Sequence, residues 1–428
     1  MAKSEKISLK LLVDEKKNKV VLAEAGQDFV DVLFGLLTFP MGTIARLLEK
    51  HQKLPQILGC YKNLSRSVSD MAVDDFKTEA CKSMLLSPKS SMEIHCRRLK
   101  LHIDDTQATM FYVCSKKHES DSCKYSNFYK SRCSCGSLMI YQIHVPEDEQ
   151  VVDSLGNAED VVFVSCRSSF ILTDDLKVML NSIDEIVKVL NGLGYPNIND
   201  LKEMLIDVGS EEVLSLLGNL FTSESALTST FLMKQCMTTM LTLSPPPMFK
   251  TGRVEQGSGC LIKVFVGKLD RKILYAECSE DFIDSLLTFL VLPLESASSF
   301  FEDNTIIGCV KNLSFELSVL GEGQKVVTLN PIDPKTSKSC TSVVADSGFV
   351  KRNTKFIVSD DLIITPMNKF STIGLLKKMQ INMNDFEAQS ICIYKAELVN
   401  ILRASLTSSS ALTNVLSNLL AKEPKKES

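Results

Sequence analysis

The chain has no tryptophan, only 8 tyrosines and 5 histidines in 428 residues, and no excess of charge of either sign. With 48 Lys+Arg against 52 Asp+Glu it carries a formal charge of −4, which excludes a polybasic wrapper of nucleic acid. Long apolar runs are missing too. The longest, 32–41 and 286–294, are near ten residues and each contains a proline, far short of the roughly 20 residues a membrane helix needs. The opening Met1-Ala2-Lys3-Ser4-Glu5-Lys6 is neither an apolar leader nor an Arg-rich presequence, so a cytosolic or nuclear setting is expected and no membrane partner. Linear signatures of nucleotide and hydrolase chemistry are also absent: there is no G-x-x-x-x-G-K-[ST], no G-x-G-x-x-G after a strand, no G-x-S-x-G and no H-E-x-x-H. No reaction is nominated. What is present is a folding composition, 44% hydrophobic and 23% charged, with length enough for two or more hydrophobic cores. In that setting the 14 cysteines are expected to be reduced core thiols or metal ligands rather than disulfides.

The dominant feature is an internal repeat. Ala23-Glu24, Asp28-Phe29, Asp31, Leu33, Leu37 and Pro40 recur 253 positions later as Ala276-Glu277, Asp281-Phe282, Asp284, Leu286, Leu290 and Pro293. Gly59-Cys60-Tyr61-Lys62-Asn63-Leu64-Ser65 returns as Gly308-Cys309-Val310-Lys311-Asn312-Leu313-Ser314. Phe170 to Asp174-Asp175-Leu176 returns as Phe356 to Asp360-Asp361-Leu362, and Thr222-Ser223 to Ala226-Leu227-Thr228 as Thr407-Ser408 to Ala411-Leu412-Thr413. Four blocks in one order mean two homologous halves. The Pro245-Pro246-Pro247 run and the glycines at 252, 257 and 259 divide them. The expected organisation is a first half at 6–240, a linker at 241–258, a second half at 259–420 and a charged, disordered tail at 421–428.

Each half opens with a hairpin pattern, Leu9–Val13 and Lys19–Ala23 around a polar loop in the first. A helix with Phe29, Val32, Leu33, Leu36 and Leu37 on one face follows, ended by Pro40. Each half closes with apolar-striped helices at 212–221 and 226–232, and at 397–406 and 411–420. The expected class is α+β: two tandem halves, each a β-hairpin or small sheet with packed helices.

The halves differ by an insertion. Leu64 to Phe170 spans 106 residues where Leu313 to Phe356 spans 43, and the excess falls at about 88–150. It holds His95, His102, His118 and His144, while the second half has no histidine. It also holds Cys114, Cys123, Cys133 and Cys135, spaced C-x8-C-x9-C-x-C-G between two strand-like runs. Four thiolates on such loops can surround one tetrahedral zinc at about 2.3 Å, and Gly136 permits the tight turn of a knuckle. A structural, zinc-ribbon-like site is expected, with His118 as an alternative fourth ligand to Cys123; the bland alternative is a set of reduced thiols, or redox pairing. Lys116, Lys117, Lys124, Lys130 and Arg132 against Glu119 and Asp121, with Tyr125, Phe128 and Tyr129 interleaved, give the insertion a local charge of +3. That pattern suits either a solvated surface or contact with single-stranded nucleic acid.

The repeated Asp174-Asp175 and Asp360-Asp361 pairs are candidate cation ligands, but neighbours on a strand point to opposite faces, and an Asp pair between apolar runs suits a turn. Cys60 and Cys309 are candidate nucleophiles without a histidine repeated beside them, so buried thiols are expected.

The opening hairpin, Ala23 to Phe39-Pro40, Gly59-Cys60-Tyr61-Lys62-Asn63-Leu64, Arg132-Cys133-Ser134-Cys135-Gly136, Phe170 to Leu176 and Leu216 to Ser223 together resemble the plant-specific family catalogued as domain of unknown function 674. The resemblance spans about 6–235 and again about 260–420. It implies a land-plant protein with no established activity and no catalytic residue to carry over. The family's Cys and Cys-x-Cys-Gly pattern is matched, with a wider gap from Cys114 to Cys123. Where the family has a proline after Asp-Asp-Leu, this chain has Pro366 in one half and Leu180 in the other. The expected function is therefore a non-enzymatic protein-interaction or scaffold protein with an unknown protein partner and a structural zinc. Its rivals are an enzyme using Asp carboxylates and a divalent ion between the halves, and a single-strand nucleic-acid binder acting through the ribbon.

Overall fold

The computed structural model describes residues 5–51, 58–90, 92–106, 109–115, 125–133, 135–144, 151–152, 162–164, 169–233, 259–300, 309–313, 327–328, 336–337, 346–367, 374, 377 and 385–420. The expected linker at 241–258, the tail at 421–428 and Cys123 lie outside them.

Strand β1 (Ile7–Asp14) turns Ile7, Leu9, Leu11 and Val13 inward, the alternation of a strand with one buried face. It pairs antiparallel with β2 (Lys19–Ala25). Helix α1 (Gln27–Leu37) is buried at every position from Phe29 to Leu37, so it is a core helix rather than a surface one. Pro40 separates it from α2 (Met41–Lys50), and α3 (Lys62–Asp70) and α4 (Glu79–Leu86) follow. The insertion supplies β3 (Phe111–Cys114), β4 (Ser131–Arg132) and β5 (Leu138–Ile143). The half is completed by β6 (Phe170–Thr173), β7 (Val178–Leu180), α5 (Ile183–Gly192), β8 (Lys202–Val208), α6 (Ser210–Asn219) and α7 (Ala226–Phe231).

The second half repeats the plan with β9 (Cys260–Gly267), β10 (Ile273–Cys278), α8 (Glu280–Val291), α9 (Leu294–Ser299), β11 (Phe356–Ser359), β12 (Ile364–Pro366), β13 (Phe386–Ile393), α10 (Lys395–Thr407) and α11 (Ala411–Leu416). Strand order is β7-β6-β2-β1-β8 in one five-stranded sheet and β12-β11-β10-β9-β13 in the other. Even the irregularity is copied: the register of β1 shifts between Leu12 and Val13, and that of β9 between Phe265 and Val266. The α+β class and the two-fold repetition therefore stand.

The halves share one buried core, in which Phe29, Leu33 and Leu37 of α1 and Phe282, Leu286 and Leu290 of α8 belong to the same cluster. Their junction is symmetric. Pro40 and Pro293 meet in an antiparallel bridge; the Met41 amide donates to Leu292 O (2.8 Å) and the Leu294 amide to Phe39 O (2.9 Å).

The Gly-Cys-x-Lys-Asn-Leu segments then cross over. Cys60 and Tyr61 of the first half donate their amides to Ser408 O and Ser405 O at the end of α10 in the second, both at 3.0 Å. Gly59 sits there at φ +48°, where an added Cβ would lie 2.5 Å from Ser405 O, so both conformation and space demand glycine. Reciprocally, the Cys309 thiol donates to Ser223 O at 3.3 Å in the first half.

Candidate metal centre

The ribbon is a small antiparallel sheet of order β3-β5-β4. Phe111 packs edge-on against Tyr125, and Tyr112 against Tyr129. Its own apolar centre is Cys114, Cys133 and Met139, with Tyr112 and Cys135 against it.

Cys114 ends β3, and the other two thiols flank a tight turn. The Cys133 amide donates to Ser137 O (2.8 Å) and the Gly136 amide to Cys133 O (2.9 Å). Gly136 has φ +84° and nothing within 4 Å of where a Cβ would stand, so glycine is required there by backbone conformation alone. The result is that the sulfurs of Cys114, Cys133 and Cys135 all lie within 4.8 Å of one another, with Cys114 Sγ and Cys135 Sγ 3.7 Å apart. A tetrahedral ion with bonds of about 2.3 Å places neighbouring sulfurs about 3.8 Å apart, so the group could hold a metal ion. Cys114 and Cys133 are 1% exposed and Cys135 is half-buried. Hydrogen bonds from the Ser137 amide and hydroxyl lower the Cys135 thiol to about 6, favouring the thiolate that ligation needs. Of the four expected ligands three converge; Cys123, with its alternative His118, lies outside the described residues.

Among the described residues the Asp pairs join no cluster of three or more groups that could hold a metal ion; the two members of each pair have different partners. Thr228 donates its amide and its hydroxyl to Asp174, both at 2.8 Å, so Asp174 caps α7 of its own half. Asp360 does the same for α11, taking the Thr413 amide at 2.7 Å. The second aspartates face the other half. Asn312 donates to Asp175 O (2.8 Å) and Oδ2 (3.0 Å), and Asn63 to Asp361 O (2.7 Å) and Oδ2 (3.2 Å). The residues after them, Leu176 and Leu362, take left-handed φ of 64° and 62° at a position where hairpins usually place glycine. Both are fully buried, and that burial outweighs a strain of roughly 1–2 kcal/mol. The turn reading of these pairs agrees with this geometry.

Cys60 and Cys309 are buried, and burial pushes both thiols up to about 12, which suits packing and not nucleophilic attack. In the basic stretch, Lys130 donates to Glu79 at 2.7 Å and lies over the Tyr129 ring, while Lys116, Lys117 and Lys124 lie outside the described residues.

One repeated carboxylate pair escaped functional notice at the level of sequence. Asp31 accepts the Phe163 and Val164 amides, both at 3.0 Å, and Asp284 accepts those of Phe349 and Val350 at 2.6 and 3.1 Å. Burial raises both, Asp31 to about 6, against the pull of those donors. The signal was available: an Asp inside an otherwise apolar helix, repeated at the same offset.

The model of the family described as protein of unknown function (DUF674) matches residues 3–324 and 315–396. No curated protein and no solved structure matches the chain.

Proposed function

We propose that this chain, which belongs to the family described as protein of unknown function (DUF674), is a non-enzymatic protein-interaction or scaffold protein whose one-sided ribbon is held by a structural zinc ion. The observation that carries the reading is the contrast in polar groups. The repeated carboxylates Asp31, Asp174, Asp175, Asp284, Asp360 and Asp361 all bond to backbone or side chains of the framework, whereas three thiols of the insertion lie within 4.8 Å of one another, two of them at 3.7 Å, close to the edge length of a zinc tetrahedron. Cys114, Cys133 and Cys135 would hold the ion, with Cys123 as fourth ligand. When bound, zinc supplies a covalent-like cross-link between strands, and four thiolates leave it no open position for substrate.

The reading places the protein in the cytoplasm or nucleus with a protein partner. Among the described residues no helix is long and apolar enough to cross a membrane. The enzyme alternative needs carboxylates turned to a shared cation, and the Asp pairs are committed elsewhere. Calorimetric titration of the full chain with Mg²⁺ and Mn²⁺ tests this. The expected result is no saturable binding, with Asp175→Asn plus Asp361→Asn lowering the melting temperature only. Saturable binding that this double variant abolishes would contradict this reading and establish the divalent-ion site that the enzyme alternative needs.

A further inference from the structure

The thiol cluster has an arrangement that a purely structural site does not need. Two of its residues, Cys114 and Cys133, are buried at 1% exposure, while the third, Cys135, is only half-buried at the knuckle. The sulfur 3.7 Å from Cys135 belongs to Cys114, on a different strand and 21 residues away in sequence. Cys133, two residues from Cys135, would close a very small and strained ring.

We propose that Cys135 and Cys114 are an oxidation-sensitive pair whose disulfide displaces the ion from this site under hydroperoxide. The inference rests on the zinc reading above and adds regulation to it. The half-buried Cys135, the most accessible of the three, attacks one peroxide oxygen as its thiolate; the O–O bond breaks, hydroxide leaves, and Cys135 becomes a sulfenic acid. The Cys114 thiolate then attacks the Cys135 sulfur, forming the S–S bond and expelling a second hydroxide. Two thiolates and one hydrogen peroxide thus give one disulfide and two hydroxide ions, the sulfurs supplying the two electrons the peroxide takes. Two ligands are lost at once, and the remaining cysteine contacts are too few to retain zinc. Because Cys133 stays a thiol and no sulfur passes beyond the disulfide, a dithiol reductant with added zinc restores the site.

The test uses the full-length protein as purified. Zinc is first measured without oxidant; one zinc per chain is expected, and a metal-free preparation overturns the zinc reading and this inference together. Hydrogen peroxide is then added at one equivalent with a chromophoric zinc chelator present, followed by peptide mass spectrometry. The expected outcome is release of the zinc in step with a Cys114–Cys135 cross-linked peptide, both reversed by dithiothreitol and zinc, while buried Cys60, Cys96, Cys278 and Cys309 remain reduced. Zinc that stays bound, or that leaves while Cys135 goes to sulfinic acid or pairs with Cys133, overturns the inference and leaves the structural zinc standing. A Cys114→Ser variant adds a readout independent of metal: its Cys135 sulfenic acid should persist and be trapped by dimedone, whereas in the wild-type chain it should not. Equal trapping in both would remove Cys114 as the resolving thiol.

Discussion

The duplicated framework and the thiol ribbon use their polar residues in opposite ways. In the framework, three repeated pairs of polar residues perform the same local task in both halves. Asp174 and Asp360 cap a helix of their own half, Asn63 and Asn312 bind the turn of the other, and Asp31 and Asp284 hold a chain segment entering the sheet. In the ribbon, which among the described residues only the first half possesses, three sulfurs gather within 4.8 Å of one another. The difference teaches that in this chain repetition marks structure. A constellation that reads as chemistry in one copy becomes architecture once its twin is seen doing the same thing, and the thiols that could hold a metal ion lie in the part that was not copied.

That contrast can be broken most sharply at the ribbon. Replacing Cys133 and Cys135 by Ser should remove the metal and raise amide hydrogen exchange in Phe111–Cys114 and Leu138–Ile143 by several orders of magnitude, since the ion would cross-link these strands. Exchange in β1 and β9 should stay protected; loss there would mean that the ribbon is part of the framework.

The next largest effect tests the equivalence of the halves. Asp174→Ala leaves the Thr228 amide and hydroxyl without their acceptor in a buried setting, a loss of roughly 2–4 kcal/mol in denaturant unfolding. Asp360→Ala should cost about the same. A costly first substitution beside a neutral second would break the symmetry.

A pH experiment addresses the buried carboxylates. The folded value of Asp31 is raised to about 6 by burial, above the unfolded value of about 3.9. Between those limits the unfolded chain releases a proton that the folded one keeps, so the Asp31 contribution to stability falls as pH rises from about 4 to about 6, by up to about 3 kcal/mol, and is level on either side. Asp31→Asn should flatten the urea midpoint across that window relative to wild type. Parallel curves from pH 4 to 7 would contradict the assignment. The smallest effect belongs to the crossed amides: Asn63→Ala and Asn312→Ala should each cost about 1–2 kcal/mol, measured by the same unfolding curves, and the two values should agree closely.

Much of the framework was legible in the sequence because repetition and apolar spacing are local signals. Leu9 to Val13, Phe29 to Leu37 and the closing helices carried their own periodicities, and the offset of 253 carried the duplication. The crossover was not legible. Nothing in Gly59-Cys60-Tyr61-Lys62-Asn63 says whose turn Asn63 will bind, since the partner, Asp361, is 298 residues away and either Asp-Asp turn offers the same carbonyl and carboxylate. The role of Asp31 was hidden for a related reason: a carboxyl in a buried helix announces that it has a partner, but the amides of Phe163 and Val164 are not distinguished by their side chains. For the ribbon, the Cys-x-Cys-Gly knuckle was readable because a thiol pair followed by glycine has a local turn geometry. The approach of Cys114 depended on strand pairing between β3 and β5, which so short a pair of runs leaves open in register.

The most direct measurement is the metal content of the intact purified chain beside its unfolding curve. One zinc per chain, lost in Cys133→Ser/Cys135→Ser while the main unfolding transition remains, is the predicted result. A wild-type protein that holds no metal and yet keeps the ribbon amides protected would contradict the account.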